Sequence, residues 1–354
     1  MDHASRLDSL GAGLERPLLV GAPASLRYLT GFGGSSGYLL VRPGAGSVFV
    51  TDGRYGELAE PLVAALRDTE LVVSTSGLWD VFRGLLDGVE VLGVEAGHAT
   101  WEFVRTLESE TGVAPEPTTG VVEELRRTKD ADEIAALRAA AAAGDAAFTR
   151  LRELLGGVST EEELGWALVD AMRRAGGDAA DWDPIVAAGP AASIPHYRAG
   201  GKPVGAGLLL LDYGCTVDGY HSDMSRTVWI EGEADPEMVR VYRAVAEAQQ
   251  AGIAAATAGT SCGDVDAAAR DVLAGYGYEE HFLHSTGHGV GLEIHEQPWV
   301  RRGNDDLLRV GDVVTVEPGV YLPGVGGVRI EDMVLVTGDG PEVLTESSRE
   351  MALG

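Results

Sequence analysis

Four consecutive leucines, Leu208-Leu209-Leu210-Leu211, run straight into a carboxylate, Asp212, and a second, Asp223, stands eleven residues further on, past Asp218-Gly219. Asp-Gly between two strands is a strong hairpin signal. With Asp218-Gly219 as a two-residue loop, Gly214 pairs with Asp223 and Asp212 lies diagonal to it. With the turn one residue earlier, the two aspartates face each other. Either register puts both carboxylates on one face, about 5–8 Å apart. Two carboxylates so placed repel unless a cation sits between them. The plainer alternative, a pair of solvated turn residues, fits poorly with four leucines leading into one of them.

The arrangement recurs. Glu317 ends Val313-Val314-Thr315-Val316 and Glu331 ends Val328-Arg329-Ile330, with the Gly- and Pro-containing turn Pro323–Gly327 between them. Each further buried carboxylate left unpaired costs several kcal/mol. Four carboxylates carry a charge that two divalent ions balance. Between the two pairs lies a histidine run, His284-Ser285-Thr286-Gly287-His288-Gly289-Val290-Gly291-Leu292-Glu293-Ile294-His295-Glu296, with three histidines in twelve residues. The interleaved glycines suit close approach of backbone and ring to a bound group. A lone histidine is usually structural; three flanked by carboxylate pairs point to a metal site. Carboxylates with one imidazole favour Mn²⁺, Fe²⁺ or Co²⁺, with Zn²⁺ also open.

The rest of the chain frames this site. Its 354 residues suggest two domains, and with 45% hydrophobic and 23% charged residues it can build a sizeable core. The net charge of −28 disfavours nucleic acid and anionic membrane as partners. Cys215 and Cys262 are too few for a disulfide framework, and the first residues lack a secretory pattern, so a cytoplasmic location is expected. The glycines around His288 are not followed by a phosphate-loop lysine.

Residues 1–125 read as a small α/β domain. Leu18–Val20, Tyr38–Val41 and Val48–Val50 are strand-like, whereas Leu58–Leu66 and Leu78–Leu86 have helical spacing. Ala114-Pro115-Glu116-Pro117-Thr118-Thr119-Gly120 is the expected connector. Residues 126–354 read as helix, helix and strands, twice over. Asp130 with Glu133 and Thr160 with Glu163 are capping boxes, and Asp235-Pro236 opens a third helix. A long helix is expected through Ile134, Leu137, Ala141, Phe148, Leu151 and Leu155. A further helix is expected over Asp264–Leu273, and strands over Ile185–Ala188, Leu208–Tyr213, Thr227–Ile230, Val313–Glu317 and Val328–Val336. The expected class is α+β, with two similar halves around a shared centre.

Asp212-Tyr213-Gly214, Ser222-Asp223, the His284–Glu296 run, Val316-Glu317-Pro318-Gly319-Val320-Tyr321 and Val328-Arg329-Ile330-Glu331-Asp332 resemble, in order and spacing, the pita-bread metallopeptidases, which include aminopeptidase P, prolidase and methionine aminopeptidase. The resemblance covers about residues 129–350. Tyr28–Gly37, Thr51–Tyr55 and Pro195-His196-Tyr197 are similar to the proline-specific branch and its creatinase-like N-terminal domain. The resemblance implies that Asp212 and Asp223 hold one metal, that His288 and Glu317 hold the other, and that Asp223 and Glu331 bridge. It implies His196 and His295 as donors to the carbonyl oxygen, Glu317 as proton shuttle, and His284, Arg329 and Tyr321 as further pocket residues.

The expected protein is a dinuclear exopeptidase, most simply with Mn²⁺ (Co²⁺ or Zn²⁺ also open), acting as a homodimer on peptides with proline in second position. The Tyr28–Gly37 and Thr51–Tyr55 segments favour an Xaa-Pro aminopeptidase. The alternatives are an Xaa-Pro dipeptidase, a methionine aminopeptidase and, in another class, a non-catalytic peptide- or protein-binding relative.

Overall fold

The structure, a computed structural model, describes residues 1–75, 77–179 and 182–352. It divides into two compact units, Met1–Arg126 and Arg127–Gly354. No helix among the described residues is long and apolar enough to cross a membrane.

The first unit is built on a six-stranded sheet in the order Thr69–Ser74, Ser47–Asp52, Gly37–Val41, Leu18–Val20, Val91–Glu95 and Ala114–Thr118. Helices Gly56–Ala64 and Leu78–Leu85 follow the expected spacing. One segment departs from expectation. The supposed connector is the edge strand Ala114–Thr118, paired in parallel with Val91–Glu95. Pro115 and Pro117 alternate, so the two positions lacking an N–H lie on the same side of the strand, as an edge requires.

The second unit repeats one theme in two halves. In the first, helices Ala131–Thr149 and Glu161–Arg174 cover an antiparallel sheet ordered Met224–Ile230, Gly207–Tyr213, Ile185–Ala188. In the second, helices Pro236–Ala255 and Cys262–Tyr276 accompany a sheet ordered Glu296–Val300, Gly287–Gly289, Val313–Val316, Asp332–Thr337, Gly340–Val343. Both capping boxes form as the sequence indicates. The long helix is interrupted at Arg150, and a separate turn of helix, Leu151–Leu155, carries Leu151 into the core.

The four leucines show why this strand is central. Leu209 and Leu211 pack with Leu164, Leu168 and Met172 on one side. Leu208 and Leu210 pack with Met238, Val241 and Val245 on the other. A strand covered on both faces needs an unbroken apolar run rather than alternation. Each fully buried leucine contributes about 1.5–3 kcal/mol.

The expected strand Val328–Val336 is broken. Gly326–Arg329 pairs with Gly319–Leu322, while Asp332–Thr337 pairs with Val313–Val316, and Ile330-Glu331 lies at the crossing between two sheets. The Pro323–Gly327 turn therefore closes the inner hairpin Gly319–Leu322/Gly326–Arg329. Glu317 and Glu331 leave the outer pair next to Val316 and Asp332, which are paired with each other.

Candidate metal centre

Chain geometry brings the four carboxylates together. Thr216 pairs with His221 and Val217 with Tyr220, so Asp218-Gly219 is the two-residue loop. Both loop residues have positive φ, 50° and 79°, the backbone a primed turn requires. The same register continues as Tyr213 with Met224 and Asp212 with Ser225. Asp212 and Asp223 thus adopt the diagonal arrangement. Glu317 and Glu331 arrive from the second half, as does His288, on the short strand Gly287–Gly289 beside Val313–Val316. Glycine is obligatory beside this histidine, because a Cβ on Gly287 would strike the Thr315 carbonyl and one on Gly289 the Gln297 carbonyl.

Ligand atoms of Asp223, His288 and Glu331, all buried, lie within 4.8 Å of one another. His288 Nε2 stands 3.7 Å from Asp223 Oδ2 and 3.4 Å from Glu317 Oε1. Glu331 is held by the Ser225 hydroxyl at 2.8 Å, and the Thr315 hydroxyl donates to Glu317 at 3.3 Å. Asp212 borders the same cavity, its Oδ2 paired with Arg329.

Electrostatics define what these residues suit. Burial, then the charge of Asp212 and the other nearby carboxylates, pushes Asp223 well above the usual carboxylate range. Burial, then Asp223 and Glu317, does the same to Glu331. Burial opposes ionisation of Glu317 as well, but the hydrogen bond from His288 and the charges of His284, His288 and Arg329 hold it down at about 2. For His288, burial is outweighed by the hydrogen bond and charge of Glu317 and by Asp223, which raise it to about 9. The cluster therefore holds protons where it lacks positive charge. Hard oxygen donors with one imidazole, buried and short of cationic charge, fit divalent metal ions.

The other expected residues sort into two groups. His196, His284 and His295 line a cavity of about 430 Å³ together with the cluster. His295 packs its ring edge-to-face with His288 at 4.3 Å and stacks on Trp299. Burial, then repulsion from His288, lowers the pKa of His295, and burial lowers that of His284.

Arg329 and Tyr321 turn instead toward the site's own residues. Arg329 donates to Ser225 Oγ at 2.7 Å, to the Tyr321 hydroxyl at 2.8 Å, to the Pro195 carbonyl at 3.3 Å and to Asp212. Tyr321 is buried, and its hydroxyl also meets His284 Nε2 at 2.8 Å. Sequence reasoning missed Ser225, Thr315, Trp182 and Trp299. Ser225 was within reach, since the hairpin register places it opposite Asp212; nothing local marked the two tryptophans.

Behind Glu331 lies a buried ionic network. Asp332 accepts from Arg226 at 2.7 Å, from the Thr345 hydroxyl at 2.6 Å, from Arg349 at 2.5 Å and from Gln249. Arg226 also donates to the Ser347 and Ser348 carbonyls. The segment Thr345–Arg349 is thereby fastened to the strand that follows Glu331.

This site and its two-halved fold are those of a metal-dependent peptide hydrolase. Residues 135–338 match metallopeptidase family M24 and residues 16–128 match the creatinase/prolidase N-terminal domain, and the chain belongs to family M24. It is similar to the solved Xaa-Pro dipeptidase from Bacillus anthracis, at 36% identity and a TM-score of 0.91, with 100% of this chain and 99% of that one covered. It is also similar to the X-Pro aminopeptidase from Thermotoga maritima, at 31% identity and a TM-score of 0.87, covering 98% and 100%. The Xaa-Pro dipeptidase of Pyrococcus horikoshii shares 31% identity over 94% of this chain and 93% of its own.

Proposed function

We propose that the chain is an Xaa-Pro aminopeptidase that releases the N-terminal residue from peptides with proline in second position. The relatives' names supply the proline class of substrate. One observation favours an aminopeptidase over a dipeptidase. A strict dipeptidase needs a cation to read the free carboxylate of proline. Among the described residues lining the cavity, Arg329 is the one lysine or arginine, and each of its three guanidinium nitrogens already donates to the protein. The cavity also adjoins a second, of about 740 Å³, with Trp182, Ile185 and His196 lining both. That leaves room for residues beyond the proline.

Asp212, Asp223, His288, Glu317 and Glu331 would hold two divalent ions, Mn²⁺ by preference. When bound, such ions activate water near neutral pH and polarise the scissile carbonyl. The chain's residues complete the reaction. Glu317, ionised at neutral pH, takes a proton from water and delivers it to the proline nitrogen, which as a tertiary amide must be protonated to depart. His295 and His196 donate toward the carbonyl oxygen as negative charge develops. His284 borders the proline side. A homodimer in the cytoplasm is the proposed working form.

The reading is tested by kcat/KM for matched Xaa-Pro, Xaa-Pro-Yaa and Xaa-Ala-Yaa peptides at equal metal loading. The tripeptide with proline is expected to be the best substrate. Replacing proline by alanine is expected to cost much of the rate, as a pocket selective for the pyrrolidine ring requires. Activity confined to Xaa-Pro would make the protein a dipeptidase, the second reading, which the likeness to the Bacillus anthracis enzyme favours.

A further inference from the structure

His196 is the least supported of the proposed reacting groups. It stands exposed at the cavity wall and makes no hydrogen bond of its own among the described residues. Its neighbours in sequence are both held. On one side the Pro195 carbonyl accepts from Arg329 at 3.3 Å. On the other, the Tyr197 hydroxyl donates at 2.8 Å to Oε2 of Glu161.

Glu161 is the first residue of helix Glu161–Arg174 and is fully buried. The proposed chemistry does not use it, yet both its oxygens are engaged. Its Oε1 accepts at 2.9 Å from the Ala188 amide, at the end of the strand that begins at Ile185. The backbone of the same helix start reaches the loop again, since the Glu161 amide donates to the Lys202 carbonyl and the Glu162 amide to that of Gly200. Lys202 Nζ in turn lies 5.1 Å over the Tyr197 ring. One buried carboxylate therefore joins the sheet that bears Asp212 to the loop that bears His196.

We infer that Glu161 and Tyr197 are positioning residues that hold His196 at the distance its donor role demands. The inference rests on the reading of His196 as a donor to the carbonyl oxygen. A group that stabilises charge only in the transition state loses its effect when displaced by about 1 Å, at a cost of up to about 10²-fold. Tyr197→Phe keeps the ring and removes the hydroxyl that ties it to Glu161 and that Lys202 also meets. Glu161→Gln keeps an acceptor for Ala188 and turns its amide N–H₂ toward the Tyr197 oxygen, preserving the link in reversed polarity.

The experiment measures kcat and KM for Ala-Pro-Ala with the Mn²⁺-loaded full chain, in the presence of His196 and in a His196→Ala background, with metal content determined for each variant. Tyr197→Phe is expected to lower kcat about 10- to 100-fold with KM nearly unchanged and metal retained. Glu161→Gln should keep most of the activity. In the His196→Ala background Tyr197→Phe should cause no further loss, because the tyrosine acts through the missing ring. An equal loss in both backgrounds, or none where His196 is present, overturns the inference while leaving the role of His196 intact. Unchanged kcat in His196→Ala alone overturns that role and this inference with it.

Discussion

Asp223→Asn is expected to remove bound metal and turnover together. The substitution takes a charge from the residue that faces both His288 and the other carboxylates. Breaking such a buried pairing is worth about 3–5 kcal/mol, or about 10²- to 4 × 10³-fold in affinity. Metal analysis after purification without chelator, with activity measured on the same sample, checks it. In the unaltered protein, chelation should abolish activity and Mn²⁺ or Co²⁺ restore it. Full activity in Asp223→Asn would refute the bridging assignment. A pH dependence accompanies the effect. In the chelated protein Asp223 and Glu331 have raised pKa values, so they favour the folded state while protonated, at low pH. That contribution is lost as the pH rises above the ordinary carboxylate value of about 4 and passes through the raised ones. Metal binding must displace these protons, so affinity and metal-dependent stabilisation should both grow with pH.

His295→Ala is expected to keep near-normal metal content and to lose roughly 10²- to 10³-fold in kcat, the effect of removing a charge-stabilising donor. His196→Ala should behave alike. The geometry gives each a separate reason. His288 pairs with Asp223 and Glu317, whereas His295 meets the His288 ring edge-to-face and stacks on Trp299, and His196 lies out at the cavity wall. Neither ring should therefore be needed to hold the ions. Inductively coupled plasma analysis beside steady-state kinetics separates the two properties. Loss of metal in either variant would move that histidine into the ligand set and make the five-residue assignment wrong.

Much of this centre was legible in the chain because it depends on local rules. Asp-Gly after an apolar run dictates a primed turn, and the turn dictates which face Asp212 and Asp223 share. The capping boxes at Asp130 and Thr160 announce helices by a hydrogen-bond pattern confined to four residues. What could not be read depends on partners remote in sequence. Whether Ala114–Thr118 is a tether or an edge strand is decided by Val91–Glu95, and its prolines suit both. Val328–Val336 looks like one strand because it is mostly apolar and rich in valine, but its two ends find different partners and it must break at Ile330-Glu331. Likewise Arg329 has the chemistry of a substrate reader, and only the folded chain shows that Asp212, Ser225, Tyr321 and Pro195 already occupy it.

The fastening of Thr345–Arg349 behind Glu331 orders events during synthesis. The first unit holds its complete sheet within residues 1–126, so every strand of that sheet has been made while most of the second unit is still to be translated. The metal centre cannot keep pace. Its carboxylates span Asp212 to Glu331, and the ionic network that backs the last of them waits for Arg349. At about 5–20 residues per second, the interval between the two is on the order of tens of seconds. Ribosome-arrested chains should show it: a nascent chain ending before Thr345 should protect the first unit from protease yet retain no Mn²⁺, and retention there would show that the network is dispensable. Throughout that interval the nascent chain carries every strand of the first sheet and only part of the second unit, so metal retention is expected to appear late.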